Sequence, residues 1–173
     1  MVRQLSRPVV STRASVFLAH LCAVLALLAG MAIAAAPVNA ADGFRHQALD
    51  SDAARFENWL KANFKADARA YRQHLANGQG LVKTGKDPRA ASRAFSQAVA
   101  AKPDACEAWS GLAEALLAIP QGELSGSERY SLPVNASAAA YRAYQHATRA
   151  DRRADALVVL SEALQRRSFW RPA

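Results

Sequence analysis

The stretch DPRAASRAFSQAVAAKPDACEAWSGLAEAL, residues 87–116, decides the fold. Aspartate followed by proline is typical of a helix start, because the aspartate accepts from free backbone N–H groups and proline at the first helical position loses no bond. Asp87-Pro88 therefore predicts a helix that ends before Pro103, and Asp104 with Glu107 predicts a capping box for a second one. In both, apolar residues recur at the helical period. The two stripes are Ala91, Phe95, Ala98 and Val99, and Ala105, Trp109, Leu112, Ala113 and Leu116.

This spacing of small and large residues recurs later in the chain. Ala91-x3-Phe95-x2-Ala98, followed by Pro103, is typical of the second helix of a tetratricopeptide repeat, and the pattern from Trp109 to Leu116 is typical of the first. The two patterns recur in Ala140-x3-Tyr144-x2-Ala147 and in Leu157-x2-Leu160-x3-Leu164. We therefore predict an all-α fold, a tetratricopeptide-like array of helical hairpins (an α-solenoid), with a generic helical bundle as the alternative.

The segment 41–86 is predicted to hold two amphipathic helices. The first lies near residues 50–65, capped by Asp50 or Ser51, and the second is weakened by two glycines and ends in a turn at residues 83–86. Their apolar positions are Leu49, Ala53, Phe56, Leu60 and Phe64, and then Tyr71, Leu75, Leu81 and Val82.

The segment 87–173 is predicted to hold the degenerate repeats, interrupted by a polar loop at 120–134. After this loop, Asn135 or Ser137 is expected to cap a fifth helix. A sixth helix carries leucines at helical spacing and is expected to end in a turn at residues 166–169. The last repeat is expected to be incomplete, which makes the chain a possible fragment of a longer protein.

Residues 1–40 have the pattern of a secretory signal peptide. Arg3, Arg7 and Arg13 precede an uncharged stretch at 16–36, and Ala40 follows with small residues at the positions that a signal peptidase reads. Export to the periplasm or cell envelope is therefore expected, with a chain that starts at Ala41. An uncleaved inner-membrane anchor is the alternative, because about 20 apolar residues can span a bilayer.

Composition excludes several classes of function. The net charge of +8 would fall to +5 on loss of the three arginines of the signal segment, and an exported protein of moderate charge is not expected to bind nucleic acid. Of the two cysteines, only Cys106 would survive cleavage, so no internal disulfide is expected. Contact of the chain with a membrane is expected only through an uncleaved signal segment.

The pattern of reactive residues does not predict an enzyme. His46, His74 and His146 lie far apart in the sequence, without a second ligand at helical spacing, so no metal site is predicted. No paired carboxylates, nucleophile elbow or glycine-rich phosphate loop is present. We predict no catalytic residue, no cofactor-binding residue and no cofactor.

Several separated segments resemble the opening of large bacterial alpha-2-macroglobulin-like proteins. They are RFENWLKANF (55–64), DPRAASRAF (87–95), AAYRAY (139–144), ALVVL (156–160) and RSFWRPA (167–173). The resemblance implies an exported helical leader region of an envelope protein that traps proteases. The β-sandwich domains, bait region and thioester segment of that family are not in this sequence, and Cys106 stands in Cys-Glu-Ala-Trp, which is not a thioester context. No inhibitory residue is therefore carried over.

The expected partners are proteins, either missing C-terminal domains or another envelope protein. A free-standing periplasmic tetratricopeptide adaptor that binds peptide or assembly partners is the alternative function. Two tyrosines could line a concave groove, although such aromatic residues more often pack in a core. Apolar residues of the last repeat are expected to be partly exposed to solvent and to form an interface. The possible interaction face thus comprises Tyr141, Tyr144, Leu157, Leu160, Leu164, Phe169 and Trp170.

Overall fold

The computed structural model describes residues 44–65 and 67–169, with the backbone alone at Phe169. These residues form six α-helices and one short 3-10 helix, and no strand occurs among them. The predicted signal peptide lies outside the described residues. The helices are α1 (Gln47–Asn63), α2 (Tyr71–Thr84), α3 (Pro88–Ala101), α4 (Cys106–Leu117), the 3-10 helix Gln121–Glu123, α5 (Gly126–His146) and α6 (Ala150–Phe169).

Helices α2 to α6 pack against one another in sequence order, and α2, α4 and α6 also contact one another in series. Helix α1 instead packs mainly against α5, with a smaller contact to α3. The core is therefore centred on α4 and α5, and its largest fully buried side chains are Trp109, Tyr141 and Phe95. Helix α1 packs against this core through the apolar stripe that its spacing predicted, which consists of Leu49, Ala53, Phe56 and Leu60.

The predicted hairpin at residues 87–116 is present. The carboxylate of Asp87 accepts a hydrogen bond from the Ala90 N–H at 2.8 Å, Pro88 is the first helical residue, and α3 ends at Ala101. The indole N–H of Trp109 donates to the Pro103 carbonyl at 2.7 Å, which fixes α4 against the turn.

The caps predicted for the first and fourth helices are wrong. Helix α1 begins at Gln47, ahead of Asp50 and Ser51, because the Asp50 carboxylate accepts from the Tyr141 hydroxyl and the Gln145 amide of α5 instead. Helix α4 has Ala105 at its N-cap without a side-chain bond, and Glu107 accepts from the Tyr71 hydroxyl. In both cases a tertiary hydrogen bond replaces the local one. The turn predicted at residues 83–86 starts later, since α2 runs through Thr84 and ends at Gly85 with φ +63°.

The polar loop predicted at 120–134 is also wrong. After the 3-10 helix, Ser125 caps α5 with a capping box that includes Glu128, and the helix runs through Pro133 to His146. The guanidinium of Arg89 holds this start in place, because it donates to the Glu128 carboxylate at 2.7 Å. The fifth helix is therefore not capped by Asn135 or Ser137, and the Ser137 hydroxyl donates within the helix to the Val134 carbonyl.

Helix α6 has no turn at residues 166–169. Arg166 donates to the Leu117 carbonyl and to Glu162, and Arg167 forms an ion pair with Asp52 at 2.7 Å. These contacts tie the last turns of α6 to α4 and α1, so the helix continues. None of the helices within residues 44–65 and 67–169 contains an apolar stretch that could span a bilayer.

Candidate interaction surfaces

A groove of about 620 Å³ lies along the face formed by the helices α2, α4 and α6, which we call the α2/α4/α6 groove. Three alternate helices contribute to it, and the ring of Phe95 on α3 forms part of its floor. Its lining residues are Ala76, Gln79, Gly80, Val82, Lys83, Phe95, Glu107, Ser110, Gly111, Glu114 and Arg152.

Two glycines leave space for the Phe95 ring, so that it can lie deep between α2 and α4. A Cβ atom built on Gly111 would lie 2.3 Å from the Phe95 ring, and one on Gly78 would lie 2.9 Å from it. Both glycines are inside helices, where glycine costs about 1 kcal/mol relative to alanine. The Phe95 ring thus occupies the space of two missing side chains, and it holds α2 and α4 at a close distance.

Opposite charges alternate across the groove. Lys83 on α2 and Arg152 on α6 flank Glu107 and Glu114 on α4. Burial raises the pKa of Glu114, and the nearby Asp155 adds to this effect, whereas Arg152 opposes it. The pKa of Glu107 is lowered, chiefly by its own backbone N–H and also by the hydroxyl of Tyr71. The groove therefore offers both cationic and anionic groups to a bound partner.

The tyrosines of the predicted interaction face lie elsewhere. Tyr141 is fully buried, and its hydroxyl accepts from the His46 N–H at 3.3 Å and donates to Asp50 at 3.1 Å. The Tyr144 hydroxyl accepts from the Phe44 N–H at 2.7 Å. Both rings contact the Phe44 ring edge-on. They bind the start of the described chain and do not line the α2/α4/α6 groove, so Tyr141 is a packing residue.

The apolar residues predicted on the last helix are divided between the core and the surface. Leu160 is buried, which corrects its assignment to an exposed face. Leu157 and Leu164 are 41% and 37% exposed, and Val158, which is not among the residues predicted for this face, is 70% exposed. Together with Phe44, the three leucines line a shallow cavity of about 480 Å³. The Phe169 side chain and Trp170 lie outside the described residues.

Histidine, cysteine and acidic side chains form no metal site in the part of the chain that the structure describes. No group of three or more histidine, cysteine or acidic residues lies close enough there to hold a metal ion. Burial raises the pKa of the Cys106 thiol, which disfavours the nucleophilic thiolate. Burial also lowers the pKa of His146, and Arg142 acts in the same direction.

The α2/α4/α6 groove could not be predicted from the sequence. The sequence marks Gly78 and Gly80 as helix-weakening residues, but only the packing of the helices shows that Gly78 lies against the Phe95 ring and that Gly80 does not. The charged residues Lys83, Glu114 and Arg152 lie on three different helices, so only the packing of those helices brings them together.

Comparison of the chain with models of protein families, with curated proteins and with solved structures found no match.

Proposed function

We propose that this protein is a non-catalytic, exported helical-repeat module that binds a segment of another polypeptide in the α2/α4/α6 groove. The observation that carries the proposal is the groove itself, because alternate helices line it with four charged side chains around an aromatic floor. Concave faces built from alternate helices are the binding surfaces of helical-hairpin arrays. The series of contacts from α2 to α4 to α6 supports such an arrangement.

The larger protein that we propose for this module is a bacterial alpha-2-macroglobulin-like protease trap of the periplasm or cell envelope. The resemblance of five separated segments supports it, as does the basic and apolar pattern of residues 1–40. The exposed Leu157, Val158 and Leu164 on α6 provide an apolar surface that such a protein could cover with a neighbouring domain.

A free-standing tetratricopeptide adaptor is the second candidate, and the mixed charge of the groove favours it. An adaptor needs a site that distinguishes partners, and charges of both signs exclude ligands whose own pattern does not match. In this case the groove, rather than the α6 surface, would carry all of the binding.

Selection from a displayed library of random twelve-residue peptides tests the proposed function. Peptides that bind the purified protein should lose affinity by about tenfold or more when Arg152→Glu reverses one groove charge. Arg149→Glu is the matched control, because Arg149 is an exposed arginine that pairs with Asp151 outside the groove lining. A library that yields no binder, or binders that respond equally to both variants, would refute peptide binding in this groove.

A further inference from the structure

A second groove of about 440 Å³ lies between α1 and the first half of α5, which we call the α1/α5 groove. Trp59 and Tyr130 line it from opposite helices, and they are 52% and 54% exposed. Its volume falls in the range of roughly 300–1,000 Å³ that is usual for small-molecule sites. Large aromatic rings exposed around a cavity of this size mark a candidate binding site.

The Trp59 ring is a fixed platform. It stacks on the Phe56 ring at a centroid distance of 6.0 Å and an interplanar angle of 14°, and the Phe64 ring meets it edge-on at 6.0 Å. Phe56 is buried and contacts Trp109 in the core. Because these contacts orient the indole before any ligand arrives, little side-chain entropy is lost when its exposed face is covered.

The α5 wall carries a row of small polar side chains. Ser127, Ser131 and Asn135 follow one another at four-residue steps, so they lie on one side of the helix and span about 12 Å. Hydroxyl and amide groups both donate and accept hydrogen bonds. On the opposite wall, Arg55 is exposed and Asp52 is held by its ion pair with Arg167.

We propose that the α1/α5 groove binds a β-1,4-linked glycan strand, with a pyranose ring stacked on Trp59 and neighbouring sugar hydroxyls bonded to the row on α5. The C–H groups on a pyranose face carry partial positive charge and complement the negative face of an aromatic ring. A β-1,4-linked glycan is extended, and its units advance by a distance similar to one four-residue step of the row. A proline-rich peptide also favours aromatic grooves, but it presents few donors and acceptors to three successive polar side chains.

Calorimetric titration of the purified protein with N-acetylchitotetraose and with cellotetraose tests the proposal, and a decaproline peptide serves as the rival ligand. At least one tetrasaccharide should bind. Trp59→Ala should weaken its affinity by about tenfold or more, since loss of one stacking contact has an effect of that size in other systems. Trp59→Phe, which keeps an aromatic face, should retain part of the affinity and controls for misfolding.

Val158→Ala is the matched surface control, because Val158 is exposed on α6 outside this groove, and it should leave the affinity unchanged. Asn135→Ala should weaken binding without loss of the fold. The proposal is overturned if neither tetrasaccharide binds, if Trp59→Ala binds as the unchanged protein does, or if only decaproline binds. The α2/α4/α6 groove shares no residue with the α1/α5 groove. If no glycan binds, peptide binding in the α2/α4/α6 groove is therefore still tested separately by the peptide-library selection.

Discussion

The ring of Phe95 lies directly over Gly111, so closely that a Cβ atom at position 111 would be 2.3 Å from it. The aromatic residue on α3 and the glycine on α4 thus form one contact across the turn at Pro103. This contact sets the depth of the α2/α4/α6 groove, and it makes the effect of a single methyl group predictable.

Gly111→Ala should destabilise the protein by about 1–3 kcal/mol, because overpacking against a buried ring outweighs the gain in helix propensity. Gly80→Ala is the matched control, since a Cβ there meets no atom within 4 Å, and it should stabilise the fold by about 0.5–1 kcal/mol. Urea unfolding of both variants measures the two changes. Equal effects would contradict the close approach of Phe95 to α4.

Phe95→Ala should lower the free energy of unfolding by about 3–5 kcal/mol, as expected for a large-to-small change in a core. Phe95 is 2% exposed, and its loss leaves a cavity beneath the groove. Phe44→Ala, which truncates an exposed ring, should cost much less. A loss below about 1 kcal/mol for Phe95→Ala would place this residue at the surface, against the repeat pattern.

Stability should fall in acid partly because of Glu128. A hydrogen bond from Arg89 holds its pKa at about 2, and the backbone N–H and hydroxyl of Ser125 contribute further. This pKa lies below the ordinary value of 4.5, so folding favours the ionised carboxylate. Its contribution to stability is therefore complete above pH 4.5 and is lost as the pH falls from 4.5 towards 2.

Urea unfolding at pH 6 and pH 3 tests this linkage. Glu128→Gln should be less stable than the unchanged protein at pH 6, and the difference should shrink at pH 3. Glu123→Gln removes a neighbouring carboxylate but leaves the capping box intact, so its stability should follow the unchanged protein at both pH values. If Glu128→Gln lowers the free energy of unfolding by the same amount at pH 6 and at pH 3, the Glu128 carboxylate is not a source of acid sensitivity.

Tyr141→Phe should cost about 1 kcal/mol, because the buried hydroxyl bonds both the His46 N–H and the Asp50 carboxylate. Tyr144→Phe removes a hydroxyl that makes one exposed bond, to the Phe44 N–H, and should cost less. Amide exchange at Phe44 and His46 in each variant shows whether these bonds hold the start of α1. Unchanged exchange in both variants would refute that anchoring.

Expression with the native N-terminus in a bacterial host should give a periplasmic product whose first residue is Ala41. N-terminal sequencing of the purified protein measures this directly. Ala40→Lys, which places a large charged residue at the cleavage position, should block processing. A product that retains Met1 and remains in the membrane fraction would establish the uncleaved anchor.

Most of the helices could be predicted from local patterns in the sequence. The stripe on α1 and the Asp87-Pro88 start depend on neighbours within a few residues, and both are present. The capping box Ser125-x-x-Glu128 is an equally local signal, but Pro133 lies inside the same helix, where proline costs about 3 kcal/mol. The box and the Arg89 contact to Glu128 favour the helix in spite of that cost.

The two candidate sites could not be predicted from local sequence patterns, because each groove is formed by helices that are distant in the sequence. Trp59 and Tyr130 both line the α1/α5 groove, and nothing in the spacing of either helix specifies that they share one groove. Leu160 and Leu164 share one stripe, yet one is buried and the other exposed. Which part of an amphipathic stripe is covered depends on how far its partner helix extends.

The packing of α1 against α5, rather than against α2, sets an order on biogenesis. A ribosome or a translocation channel delivers the chain from its N-terminus, so Leu49, Phe56 and Leu60 emerge before the helix that buries them has been made. Until α5 has been made, this first stripe lacks the surface that buries it and is a target for holding chaperones, so α1 cannot take its final place before the chain beyond Gly126 has emerged.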